Sequence, residues 1–167
     1  MAAAPDEPDL RVVMSAAYAM LARSAHSREQ VRLKLERKAC APELIEQCLQ
    51  RLEALGYLDD GDVARRWAQV MLKERCWGLL KAEQQLQQRG IERELARQVL
   101  REVQQDFPQI DSARQALSGR FGKAAAGVPL SRVVNFLRSR GFGTDVVYQA
   151  AREWEKKKNG RADDIED

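Results

Sequence analysis

Histidine, cysteine and aromatic residues are scarce in this 167-residue chain, which has one His, three Cys, three Trp, three Tyr and four Phe. The cysteines, Cys40, Cys48 and Cys76, are unevenly spaced. They form no CxxC pair and no Cys/His cluster, so neither a disulfide framework nor a bound metal is expected. The lone His26 has no nucleophile motif beside it, neither GxSxG nor HExxH, and general acid–base work would need partners that are missing. No glycine-rich phosphate loop is present, so no nucleotide or other cofactor is expected. Long apolar runs are absent, which excludes a membrane span. The opening residues are acidic and carry Pro5 and Pro8, unlike a secretory signal. A cytoplasmic, non-enzymatic protein with reduced thiols is the expectation. Nothing reads as strand, and the abundance of Leu, Ala, Glu, Gln, Arg and Lys points to helices throughout.

What the chain does have is repetition at an offset of 51 residues. Leu35, Leu86 and Leu137 form one set, Lys38, Arg89 and Arg140 the next, followed by Ala39, Gly90 and Gly141. Apolar Cys40, Ile91 and Phe142 come after these, then acidic Glu43, Glu94 and Asp145, and finally Gln47, Gln98 and Gln149. One supersecondary unit is used three times, and units of about 50 residues bury too little alone, so they must lean on each other.

Each unit reads as three helices. Ser27 with Gln30 has the form of a capping box, and Val31 with Leu35 begins a buried stripe matched by Ala82 with Leu86 and Val133 with Leu137. Helix starts fall near Gly78 and Pro129. Glycine at 90 and 141 suits a left-handed helix end, while Ala39 fits less comfortably. Leu44, Ile45, Cys48, Leu49 and Leu52 lie on one face at 3.6 residues per turn, with Pro42 at a first helical position, Gly56 as a stop and Thr144 as the cap of the last copy. The first helices pair Ala17 with Leu21, Ala68 with Leu72 and, at an offset of 45, Ala113 with Leu117, the loop Gly122 to Pro129 making up the difference. Cys40 and Cys48 take core positions in this scheme. The fold expected is all-α, three tandem three-helix repeats stacked in a row: an acidic, disordered terminus at 1–10, repeats at 11–57, 58–107 and 108–157, and an acidic tail at 158–167.

The two ends are acidic, and residues 11–158 between them hold 27 Lys or Arg against 18 Asp or Glu. Such a body attracts nucleic acid or an acidic protein surface. From Ser112 to Thr144 there are six bases, Arg114, Arg120, Lys123, Arg132, Arg138 and Arg140, and no acid. The second helix of unit one is also rich, with Arg28, Arg32, Lys34, Arg37 and Lys38, and Lys81 and Arg89 of unit two complete the candidate set. Sequence-specific reading by a helix-turn-helix is disfavoured, because the helix starts that would enter a groove carry Glu43, Glu94 and Asp145.

Several motifs occur in order over residues 14–153: His26-Ser27-Arg28-Glu29 through Lys34-Leu35, then Gly56-Tyr57-Leu58-Asp59-Asp60 with Ala64, Trp77-Gly78 through Leu86, Arg89-Gly90-Ile91, Phe136-Leu137 and Arg140-Gly141-Phe142. As an ordered set they resemble the RecX family, the bacterial regulators of the RecA recombinase. Gln30-Val31 stands where that family usually has Glu-Leu, Ala39 replaces a turn glycine, and Cys76 occupies a position commonly glycine. The resemblance implies three tandem three-helix bundles in an elongated, curved array, without enzymatic activity. It implies a monomer lying in the groove of the RecA filament on single-stranded DNA, suppressing its ATPase, strand exchange and coprotease activities by obstructing the groove and limiting filament growth. A freestanding, nonspecific nucleic-acid-binding module and a general helical scaffold are the alternatives.

Overall fold

The computed structural model describes residues 9–122 and 127–163, with side chains as far as 157. Every regular element among them is helical: α1 (Leu10–Leu21), α2 (Arg28–Glu36), α3 (Pro42–Ala54), α4 (Asp60–Gln69), α5 (Leu79–Gln88), α6 (Arg93–Val103), α7 (Gln109–Phe121), α8 (Leu130–Ser139) and α9 (Thr144–Asp163). The starts are capped as side-chain chemistry dictates. Ser27 and Gln30 close a reciprocal capping box on α2, Asp59 accepts from the Asp62 amide at 2.9 Å on α4, and Glu92 does the same for Leu95 on α6. Each such cap satisfies a backbone donor that the helix itself leaves unpaired. Thr144 lies inside α9 rather than before it, and the Gly143 carbonyl accepts the first helical bond, from Val147.

The helices pack in threes around three apolar clusters, α1–α3, α4–α6 and α7–α9. Positions related by 51 residues are buried alike: Val31, Ala82 and Val133, and Leu35, Leu86 and Leu137, are fully enclosed. Ile45, Ala96 and Val147 are buried too, as are Cys48, Val99 and Ala150. Cys40 is only half-buried at the edge of the first cluster. Leu58, which heads the second repeat by sequence, is buried in the first cluster. Leu10 opens α1 inside the stretch expected to be a free terminus and packs against the same cluster, and the α9 backbone runs on through Asp163, beyond the expected tail boundary.

The second helix of each set ends in the same way. Ala39, Gly90 and Gly141 take left-handed conformations, with φ of 55°, 83° and 80°. Their amides return to Glu36, Gln87 and Arg138, and the next amides return to Leu35, Leu86 and Leu137. These paired bonds form the Schellman closure. A left-handed residue bearing a Cβ costs about 1–2 kcal/mol, and glycine returns about 0.4–1 kcal/mol of that through the unfolded chain. Ala39→Gly is therefore expected to raise the unfolding free energy by up to about 1 kcal/mol, seen as a higher urea midpoint at unchanged slope.

Neighbouring sets meet through one recurring joint. The start of the second helix in one set sits on the closing turn in the next. Ser27 Oγ donates to the Arg89 carbonyl at 2.5 Å, and 51 residues on, the Gly78 amide donates to the Arg140 carbonyl at 2.8 Å. In the second joint the Leu80 amide also donates to the Gly141 carbonyl at 3.1 Å. Backbone lies directly on backbone there. A Cβ on Gly78 would stand 2.1 Å from the Gly141 carbonyl carbon, and one on Gly141 would stand 2.4 Å from the Lys81 amide nitrogen. Glycine is required at both positions by this approach, and at 141 by φ as well.

α4 departs from regular geometry where it nears the second joint. Its end opens into a wide turn, Val70–Glu74, of π-helical form, with the Arg75 amide reaching back five residues to Val70. Cys76 follows with φ of 48°, in the position where the family pattern favours glycine. The Trp77 amide then closes onto the Met71 carbonyl at 3.0 Å. Arg75 and Trp77 are thereby set on either side of a reversed residue, facing the third set.

Candidate polyanion interface

The bases of this chain fall into two groups by what holds them. Arg28 pairs with Glu46 at 2.6 Å and Glu53 at 2.9 Å, and Arg32 with Glu29 at 2.6 Å and Glu36 at 3.2 Å. Arg114 pairs with Asp111 and with both oxygens of Glu153. The carboxylates register these partners. Hydrogen bonding from Arg32 lowers the Glu29 pKa against the opposing effect of burial, and Arg114, aided by Gln149, holds Glu153 at about 2. Such guanidinium groups are already neutralised where they stand. Lys34, although exposed, sets its Nζ against Nε2 of the buried His26, whose Nδ1 faces the Ser24 carbonyl at 2.7 Å.

The second group rests on aromatic rings. Arg75 and Lys81 lie over Trp77 at 5.1 and 4.8 Å, Arg89 over Trp67 at 4.7 Å, and Lys73 near Phe107 at 5.9 Å. Arg140 lies over Phe136 at 5.1 Å, and Arg120 and Arg132 both lie over Phe121, at 5.6 and 6.0 Å. Seven such contacts form among the described residues. None of these seven bases has a carboxylate within salt-bridge distance among the described residues. All lie beyond residue 70. A cation on a ring is oriented without losing its charge, and stays available to an outside anion.

Three of them converge at the joint between the second and third sets. Arg75, Arg120 and Arg140 line a groove of about 550 Å³ together with Cys76, Trp77, Gln115, Ala116 and Gly119, with Glu74 as its one acid. Lys81 borders it through Trp77. Arg140 also donates to the Arg75 carbonyl at 2.8 Å, so it braces the joint as well as charging it. Burial pushes the Cys76 thiol up more than nearby Arg140 draws it down, which makes it a poor nucleophile. The groove offers positive charge and aromatic surface, the chemistry that receives phosphates or clustered carboxylates.

Of the residues singled out from sequence, Arg120 and Arg140 are brought together here, with Lys81 beside them and Arg132 across Phe121. Arg89 belongs to the aromatic-held group elsewhere on the second set. Arg138 stands alone near the Tyr148 hydroxyl at 3.5 Å, and Arg37 and Lys38 are exposed. Lys123 lies outside the described residues. Arg28, Arg32 and Arg114 are occupied by carboxylates of the chain itself. Arg75 was not among the sequence candidates, because it sits outside the acid-free stretch and next to Glu74. The signal that could have found it is the Arg-Cys-Trp run ahead of the glycine at 78. Among the described residues no group of three or more His, Cys, Asp or Glu is placed to hold a metal, and no helix is long and apolar enough to cross a membrane.

Comparison with known proteins agrees with this architecture. Residues 14–52 match the model of the RecX first three-helix domain, and residues 59–100 match that of the second. Regulatory protein RecX of Halorhodospira halophila is 35% identical over 147 residues, covering 83% of this chain and 86% of that protein. The same-named protein of Prosthecochloris aestuarii is 30% identical, covering 88% and 96%. The crystal structure of RecX from Lactobacillus salivarius superposes with a TM-score of 0.76 at 19% identity, over 88% of this chain and 97% of that one. With two domain models matched and relatives aligned over most of both chains, this chain belongs to the RecX family of regulatory proteins.

Proposed function

We propose that the protein binds the RecA filament on single-stranded DNA and inhibits RecA's ATPase, strand exchange and coprotease activities without chemistry of its own. Family membership supports the regulatory role, and the motif resemblance points to RecA as the partner. The observation that carries the reading is the groove at the second joint, where Arg75, Arg120 and Arg140 meet one acid, Glu74. A nucleoprotein filament presents phosphates and protein side by side along a helical groove. A row of linked helical sets can touch both at once, each contact raising the effective concentration for the next. Occupying that groove obstructs the strand to be exchanged and the segments a cleavable repressor would enter.

The full chain should lower RecA's DNA-dependent ATP hydrolysis. It should also bind RecA-coated single strands, held with a nonhydrolysable nucleotide, more than about tenfold more tightly than bare strands at physiological salt, a difference of about 1.4 kcal/mol. Equal affinity for coated and bare DNA, with no effect on hydrolysis, would favour a freestanding nucleic-acid module instead.

A further inference from the structure

A second groove occupies the matching place at the first joint, with opposite chemistry. Ala25 and His26 line it where Cys76 and Trp77, 51 residues on, line the cationic one. This groove, about 500 Å³, is walled by Tyr18, Leu21, Tyr57 and Val63, and it carries the carboxylates of Asp59 and Asp62 and the guanidinium of Arg66. Arg66 is spent on Asp62 at 2.6 Å. Asp59 caps α4 through one oxygen, is exposed, and has no cation within salt-bridge distance among the described residues. Tyr57 is 57% exposed on its wall, and Tyr18 meets Tyr57 edge to face at 5.1 Å. A tyrosine ring left in water at a concave site offers a partner an apolar face with a polar tip.

A polyanion fits poorly, because Asp59 is the unpaired charge here and Arg66 is already held by Asp62. A cation with apolar flanks fits both parts of the site. Its charge can lie on the Tyr57 ring and against Asp59, the ring-and-cation pairing this chain makes internally at Trp77 and Trp67, while its neighbour fills the space beside Tyr18 and Leu21. We propose that this groove docks a protein segment presenting arginine or lysine next to an apolar side chain. Resting on the function proposed above, that segment belongs to the protein wall of the filament, and the cationic groove one joint away takes the phosphates. The two grooves then give the molecule a fixed direction along its partner.

Tyr57→Ser combined with Asp59→Asn tests this. Asparagine caps a helix as well as aspartate does, and an exposed serine leaves the core intact. The double variant is expected to bind RecA-coated single strands about tenfold more weakly, the scale of losing an anchoring side chain, with affinity for bare strands changed less than about twofold. Should it melt early, Asp59→Asn alone is expected to lose about threefold on the coated strand, the scale of a single exposed charge contact. Undiminished binding to the coated strand would overturn the assignment. So would equal losses on coated and bare strands, which would make this a nucleic-acid contact. Failure of the functional reading is distinct, because it shows in the unsubstituted chain as no preference for the coated strand, and it would remove this inference with it.

Discussion

Gly141→Ala is expected to cost about 3 kcal/mol or more, with the third set of helices loosened from the second. Left-handed strain contributes about 1–2 kcal/mol, less about 0.4–1 kcal/mol from the unfolded chain. The new Cβ, 2.4 Å from the Lys81 amide nitrogen, meets backbone and cannot be relieved by a side chain swinging away. Forced overpacking adds about 1–3 kcal/mol. Separating the two segments also breaks the bonds from Gly78 to Arg140 and from Leu80 to Gly141, each worth about 1 kcal/mol. Gly56→Ala is the control, since Gly56 has φ of 74° but nothing within 4 Å of an added Cβ. It should lose only about 1 kcal/mol, the backbone part alone. Urea unfolding measures both, and limited proteolysis near 76–79 should accelerate in the first variant only. Equal costs would mean that the close approach at the joint contributes nothing.

Arg75→Glu with Arg120→Glu is expected to weaken binding to single-stranded DNA, bare or coated, on the order of tenfold or more. Both bases are exposed and neither is paired with an acid among the described residues, so reversal should spare the fold. Two lost phosphate contacts should also flatten the plot of log affinity against log salt by about 1.4. Arg140 is left alone because its bond to the Arg75 carbonyl mixes stability with charge. The matched control is Arg32→Gln. Arg32 lies between Glu29 and Glu36, and removing an exposed pair of this kind changes stability by no more than about 1 kcal/mol and affinity little. If both variants bound equally well, the distinction between carboxylate-held and ring-held bases would carry no functional meaning.

Much of the architecture was legible because it is local and repeated. The Ser27–Gln30 box, the turn at Gly90 and the stripe from Leu44 to Leu52 each depend on residues within two turns of helix, where spacing alone determines which side chains meet. The pairing of Arg32 with Glu29 and Glu36 is of the same kind. Contacts that cross between elements were not legible. Arg28 finds Glu46 and Glu53, and Arg114 finds Glu153 thirty-nine residues away, so counting bases along the chain overstated the charge on offer in the first set. The wide turn before Arg75 and the reversed Cys76 leave no periodic trace either. They re-aim two side chains without changing which residues are apolar, and so the candidate groove is only half visible before folding.

The joints also bear on polymerisation. Each one is asymmetric, a helix start on one side and a closing turn on the other, and a head-to-tail contact of that kind can in principle add subunit after subunit into an open filament. The outer half-joints of the first and third sets differ from the inner ones. At one end Ala39 stands where Gly90 and Gly141 stand, and a Cβ at those positions would come within 2.3 and 2.4 Å of the adjoining set. At the other end Pro129 holds the place of Gly78, and proline has no N–H to give to an incoming carbonyl. The outer ends thus lack the glycine turn and the amide donor that make the second joint, a useful property for a protein whose proposed partner is itself a growing polymer.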